Sequence, residues 1–272
     1  GARAGGTITS YTRLKHEGAA AMEAGRLDRL DLGGASLSDL ADGIGAAAPA
    51  PAVDVSRATG AGAGALPGGA AVGIFLHELL ELVELDGVRA GSDAATWADQ
   101  PAVAHLLAQA AVRHGIDQAC LPEAAAMVWD ALRTPLAPHG VRLACLAASP
   151  RSARELEFLY RIPAAARTGE AGFVKGFLDL LVEDDDGLTW VVDYKSDSLP
   201  AWDAATVAAT VERDYQLQVE LYALALERLA AAGRLGGLVF WFLRGRVAHV
   251  VRPDPAQLAA WAAALVAREV RP

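Results

Sequence analysis

The chain is poor in several things that define whole classes of protein. It has two cysteines in 272 residues, Cys120 and Cys145. That is too few for a disulfide scaffold or a four-cysteine zinc or iron–sulfur site, so both read as small buried apolar residues. No apolar run approaches the roughly 18–20 residues that a membrane helix needs. The opening, GARAGGTITS, lacks a basic stretch followed by an apolar one. A cytoplasmic chain with no membrane contact is therefore expected. Basic charge is in the minority, 24 Lys and Arg against 33 Asp and Glu, for a formal net charge of −9, so no global positive field draws in nucleic acid. There is no G-x-x-x-x-G-K-[ST] phosphate loop, and ATP hydrolysis is not expected. Lysine is scarcest of all: Lys15, Lys175 and Lys195 are the only three, leaving 21 arginines. A lysine kept in so arginine-biased a chain invites a chemical question.

Hydrophobic residues make up 53%, but roughly a fifth of the chain is alanine, so the core must come from Leu, Val, Ile and the tryptophans. The length suffices to bury such a core without a staple. Ile8 to Leu14, with Thr9 and Ser10 as cap candidates, predicts a short first helix. Residues 43–69 collapse into Gly, Ala and Pro, which predicts a mobile loop. Residues 74–86 follow a helical spacing closed by Asp86-Gly87. Residues 88–150 alternate helical stretches with breaks and show no sustained strand signal, which marks a helical insert. From about 151 to 252 the pattern turns to β: ELEFLYRIP, GFVKGFLDLLVE and LTWVVDYK, then a long amphipathic helix from Val211 to Gly233, then GGLVFWFLRG and RVAHVVRP. PAQLAAWAAALVAREV is a terminal helix.

The turn Asp184-Asp185-Asp186-Gly187 is a strong hairpin signal. Pairing symmetrically about Asp186 sets Asp179 opposite Asp193, or one residue out of register if the turn differs. Two carboxylates face to face repel, so something cationic belongs between them. Lys195, two positions beyond Asp193, lies on the same face of the strand. Hard oxygen ligands converging on one point suit Mg²⁺ or Mn²⁺, and a nearby lysine can orient a water and stabilise charge on a phosphate. The plain alternative is a salt-bridge cluster at a strand end. The D-x13-D-x-K spacing is short enough to leave both open.

On the following helix Gln218 and Tyr222 share a face, with Tyr215 one turn earlier. Their polar heads suit a ligand phosphate or base more than a packed core; the alternative is an exposed polar face with tyrosine lying over apolar neighbours. His77 sits in an apolar helix with Glu81, not histidine, at i+4, so the zincin pattern is absent and a core histidine is the alternative.

At these residues the sequence resembles a known family. GFLDLLVEDDDGLTWVVDYKSDSL and YQLQVELYALALERL, with ITSYTRL and GIFLHELLE upstream, look like the RecB-type nuclease domain of the PD-(D/E)XK superfamily. The four blocks keep the expected order; the insert and the Gly/Ala loop match nothing. The resemblance implies one domain over 1–272 with an α/β, restriction-endonuclease-like core: a mixed β-sheet flanked by helices, plus the helical insert. It implies that His77, Asp179 and Asp193 bind a divalent metal, Mg²⁺ with Mn²⁺ or Ca²⁺ able to replace it, and that the main-chain carbonyl of Tyr194 is a further ligand. Lys195 takes the catalytic position, while Gln218 and Tyr222, with Tyr215 beside them, position DNA or the active site. The proline of the superfamily's name is absent, Gly176-Phe177-Leu178 preceding Asp179. Some relatives carry four cysteines for an iron–sulfur cluster, which two cannot supply. The chain looks like a domain excised from a larger helicase–nuclease. Its implied partners are DNA fed by a motor, a RecB helicase portion and RecC- and RecD-like subunits. The competing readings are a non-catalytic DNA-binding or docking module and a stand-alone nuclease of the same superfamily.

Overall fold

Among the described residues, strands rich in Val, Leu, Phe and Trp build a mixed sheet of six strands, and helices cover both of its faces. The computed structural model describes residues 8–10, 65–162, 172–231 and 233–269. The strands are β1 (Ile8–Ser10), β2 (Ser152–Ile162), β3 (Gly172–Glu183), β4 (Thr189–Lys195), β5 (Leu235–Phe242) and β6 (Val247–Val251). β2 runs antiparallel along one edge of β3 for almost its whole length. The other edge is shared: β1 pairs parallel to residues 173–175 and β4 antiparallel to residues 180–183. β5 lies parallel to β4, and β6 closes the order antiparallel to β5.

The first layer of helices is α1 (Ala70–Leu82), α2 (Leu85–Ala90), α3 (Ala94–Ala98), α4 (Pro101–His114) and α5 (Leu121–Arg133). It packs Phe75, Leu76, Leu79, Trp97, Val128 and Leu132 against Trp190, Val192, Tyr194, Val239 and Trp241 of the sheet. The second layer is α6 (Ala204–Asp214), α7 (Gln216–Leu229) and α8 (Pro255–Glu269). It packs Val207, Val211, Leu221, Leu224 and Leu258 against Val174, Leu178, Val191, Phe240 and Phe242. Burying each such Leu or Phe contributes about 1.5–3 kcal/mol. Local chemistry starts and stops these helices. The Asp93 and Asp203 carboxylates accept amide hydrogens of the first turns of α3 and α6, Pro101 opens α4, and Gly115 ends it in the left-handed region. In the β3–β4 turn, Asp184 accepts the amides of Asp186 and Leu188 and the Trp190 indole N–H, and Gly187 takes the positive φ.

Three expectations are corrected. Residues 8–10 are a strand rather than the start of a helix, because their backbone groups join β3; residues 11–14 lie outside the described residues. The helix at 74–86 ends at Leu82, since Val83 turns extended, and Asp86-Gly87 sit inside α2. The helix expected from 211 to 233 starts earlier, at the Asp203 cap, breaks at Tyr215 and ends at Leu229. Most of the loop expected over 43–69 lies outside the described residues, 65–69 excepted, where Leu66 is buried. Its amide donates to Glu123 at 2.5 Å, and its carbonyl accepts from Arg244 at 3.1 Å.

The strand β3 carries one irregularity, and it falls at an aspartate. Val174 and Leu178 of β3 face the α6–α8 side, yet Leu180 and Val182 face the α1–α5 side, so the alternation inverts at Asp179. Across the β2 pairing, between Arg154↔Leu180 and Leu156↔Leu178, sits Glu155 with φ 44. A non-glycine residue at such an angle costs of order 1–3 kcal/mol and occurs where a site is being shaped.

Candidate active site

Alternation along β4 turns Asp193 and Lys195 towards α7, while Val192 and Tyr194 face the other core. Lys195 Nζ lies 2.7 Å from Asp193 Oδ2 and donates to Gln218 Oε1 at 2.7 Å. Gln218 Nε2 in turn donates to Asp193 Oδ1 at 2.7 Å. The three groups form a closed ring of polar contacts, with Lys195 and Gln218 at 0% exposure and Asp193 at 1%. Burial pushes the Asp193 pKa up, to about 6, against the opposing pull of the Lys195 ammonium. Lys195 is thus the ion-pair partner of Asp193, whereas Asp179 lies beyond the last paired residues of the β3–β4 ladder, Leu180↔Val192, and is not set opposite Asp193 as expected.

A second, more open group adjoins the first. The β3–β4 register is the one that symmetry about Asp186 predicts, through Leu180↔Val192. Beyond it the strands part, and Asp179 Oδ2 takes the amide N–H of Tyr194 at 2.8 Å in place of a ladder bond. His77 Nδ1, from the middle of α1, lies 3.5 Å from the same oxygen, and the two side chains are 21% and 12% exposed. Glu155, reaching from β2, completes the group: ligand atoms of His77, Glu155 and Asp179 lie within 4.8 Å of one another. Burial first, then the charges of Asp179, Glu81 and Asp193, push the Glu155 pKa up to about 8. Negative charge so crowded favours a cation, and one imidazole nitrogen with two carboxylates is a donor set that suits a hard divalent ion.

The elements that aim these groups are themselves braced. On α1, Glu78 is held by Arg113 and by His114 (2.5 Å) of α4. Burial raises its pKa, but those partners outweigh burial and hold the carboxyl below its usual range. Arg244 donates to the carbonyls of Ser196 (2.8 Å), Leu66 and Pro67, joining the segment before α1 to the strand end after Lys195. The Tyr222 hydroxyl donates to the Phe177 carbonyl at 2.7 Å, two residues before Asp179.

The structure thus brings together His77, Asp179, Asp193, Lys195 and Gln218. It sets Asp193 differently from the two open ligands, its oxygens turned to Lys195 and Gln218. Tyr194 offers its amide to Asp179 and meets His77 edge-on at 6.3 Å. Tyr215, Gln218 and Tyr222 do not form the exposed polar face that was the alternative reading: all three are buried, and the apolar cover of α7 leaves their heads facing Asp197, Lys195 and Phe177. Glu155 was not legible. Its place opposite Asp179 depends on a β2–β3 register that no two-residue hairpin signal in the sequence fixes.

Residues 59–271 match the profile of the PD-(D/E)XK nuclease superfamily, and the chain belongs to that superfamily. Among curated proteins it is similar to RecBCD enzyme subunit RecB of Escherichia coli (strain K12), 28% identical over 214 residues, which is 66% of this chain and 17% of that one. It is also similar to an ATP-dependent helicase/nuclease subunit of Bacillus velezensis, 32% identical over 105 residues, 35% of this chain and 8% of that one. The chain therefore spans about a sixth or less of the length of these relatives. The crystal structure of SSO0001 shares 15% identity, covering 71% of this chain and 74% of that one, with a TM-score of 0.29. Among the described residues no helix is long and apolar enough to cross a membrane.

Proposed function

We propose that the chain is a divalent-metal-dependent deoxyribonuclease, the nuclease domain of a RecBCD-type helicase–nuclease acting in double-strand-break repair and recombination. The observation that carries this reading is the adjacency of two groups. A buried Lys195–Asp193–Gln218 ring lies beside the partly accessible donors His77, Glu155 and Asp179.

His77, Glu155 and Asp179 would hold the ion, Mg²⁺ by preference, with Asp193 and the Tyr194 carbonyl as further ligands. A hard ion held there supplies Lewis acidity towards a phosphate oxygen. The rest is done by side chains. Asp179 is fixed by the Tyr194 amide, so its free oxygen keeps its aim. Lys195 would set its amino group at the strand end, where it would stabilise negative charge gathering on the phosphate as a water attacks phosphorus and the sugar oxygen leaves. Gln218 holds Asp193 and Lys195 in register from both sides, and Tyr222 steadies β3 just before Asp179. Tyr215, Gln218 and Tyr222 serve DNA positioning through these groups. A net charge of −9 implies weak, salt-sensitive DNA binding by the chain alone, as suits a nuclease whose strand is delivered by a motor. DNA, the RecB helicase portion and RecC- and RecD-like subunits are the partners this reading assigns.

The test is cleavage of linear single-stranded and circular DNA with Mg²⁺, with EDTA, and by Asp193→Ala. Metal-dependent cleavage lost in the variant supports the nuclease, and attack on circles adds an endonucleolytic component. No cleavage, with no Mg²⁺ or Ca²⁺ binding by calorimetry, would favour a docking module instead.

A further inference from the structure

The Lys195 ammonium rests on an aromatic face. Its Nζ lies 4.1 Å from the centroid of the Tyr215 ring and 5.7 Å from that of Phe240. Tyr215 stacks on Phe240 at 6.1 Å with 28° between the planes and meets Phe242 edge-on. Its hydroxyl donates to Asp197 Oδ2 at 2.5 Å. Asp197 stands two residues beyond Lys195 on the same exit from β4, and Tyr215 stands at the break between α6 and α7. The break lets one residue end α6, through its N–H to the Val211 carbonyl, and open α7, through its carbonyl to the Val219 amide. That double constraint fixes the backbone from which the ring projects.

We propose that Asp197 and Tyr215 form a positioning pair for Lys195: Asp197 fixes the plane of the Tyr215 ring, and the ring carries the ammonium into line with Asp193 and Gln218. A desolvated cation over an aromatic face gains more than an exposed one, because no water competes for it. An ion pair to Asp193 and a hydrogen bond to Gln218 set the distance of the ammonium from those groups but leave it free to swing about that axis; the ring removes the remaining freedom. The pair reaches the substrate only through Lys195, so its loss acts on turnover more than on DNA affinity. This rests on the nuclease reading for its role in turnover, but the placing of Lys195 can be measured without it.

The scarcity of lysine makes that measurement clean. Reductive methylation with ¹³C-formaldehyde labels the amino terminus and three lysines; Lys195 is fully buried and Lys175 is exposed at 43% of its side chain, and peptide mass spectrometry resolves each. With Tyr215→Leu, labelling of Lys195 relative to Lys175 should rise about tenfold while the thermal midpoint of a folded control, Tyr215→Phe, brackets any general loosening. In the cleavage assay Tyr215→Leu should lower kcat by about tenfold with KM nearly unchanged, and Tyr215→Phe and Asp197→Ala by about threefold each. The double variant Asp197→Ala/Tyr215→Phe should lose about threefold and not ninefold, since both changes break one hydrogen bond. Unchanged Lys195 labelling in a folded Tyr215→Leu, a loss in KM instead of kcat, or multiplying losses in the double variant would each overturn the pair. If the wild-type chain neither cuts DNA nor binds Mg²⁺ or Ca²⁺, the nuclease reading fails, and the labelling contrast still decides whether Tyr215 places Lys195.

Discussion

Gln218 is the residue whose removal the structure allows to be reasoned through most fully. It contributes no charge, yet it completes the coordination of two buried charges: it accepts from Lys195 and donates to Asp193, at 2.7 Å each. Hydrogen bonds to charged groups are worth about 1.5–3 kcal/mol apiece, and a buried polar atom left without a partner costs its desolvation in full. Gln218→Leu keeps the volume and removes both bonds, so it should destabilise by about 3–5 kcal/mol, a large share of the about 5–15 kcal/mol available to a domain. Gln218→Glu keeps the acceptor for Lys195 but sets a second carboxylate against Asp193. It should destabilise comparably at pH 8 and recover as pH falls and the two oxygens share a proton. Urea unfolding in EDTA, followed by tryptophan fluorescence and circular dichroism together, measures both. A loss below about 1 kcal/mol for Gln218→Leu would refute the closed ring, because the bonds would then be exchangeable with water.

Glu155 makes stability depend on pH. Its folded-state pKa of about 8 stands above its ordinary value of 4.5, so the folded chain binds that proton more tightly than the unfolded one. Metal-free stability should fall as pH rises between those two values, by a few kcal/mol at most, and level off above. Glu155→Gln should flatten the slope, and Ca²⁺ should stabilise the wild type more at pH 8 than at pH 5 because its ligands must be ionised; an unchanged slope in the variant would assign the titration elsewhere. Lys195→Ala should abolish cleavage while leaving Ca²⁺ affinity within about threefold, as calorimetry would show, because the open donors are His77, Glu155 and Asp179; loss of folding instead would make Lys195 structural. Gly237, at φ +144, has the Val251 carbonyl where a Cβ would stand. Gly237→Ala should therefore cost about 2–3 kcal/mol by parting β5 from β6, and an unshifted thermal midpoint would contradict that close approach.

Much of this protein was legible in its sequence because the signals were local. The alternation of GFVKGFLDLLVE and LTWVVDYK, and a turn whose aspartates and glycine serve it directly, set the β3–β4 register that the ladder shows from Leu180↔Val192 to Glu183↔Thr189. The same period put Asp193 and Lys195 on one face, and i, i+4 spacing put Gln218 with Tyr222. These follow from backbone geometry over a few residues, which the chain carries with it wherever it goes. Tertiary structure alone decided the rest. That Gln218 points inward follows from what covers α7, not from its own sequence. That Glu155 meets Asp179 and His77 follows from a strand pairing across an unannounced connection and an inverted alternation at one residue pair. Which carboxylate holds the lysine and which stays open is a matter of burial. Burial belongs to the assembled layers, because the cost of removing a charge from water depends on everything that surrounds it.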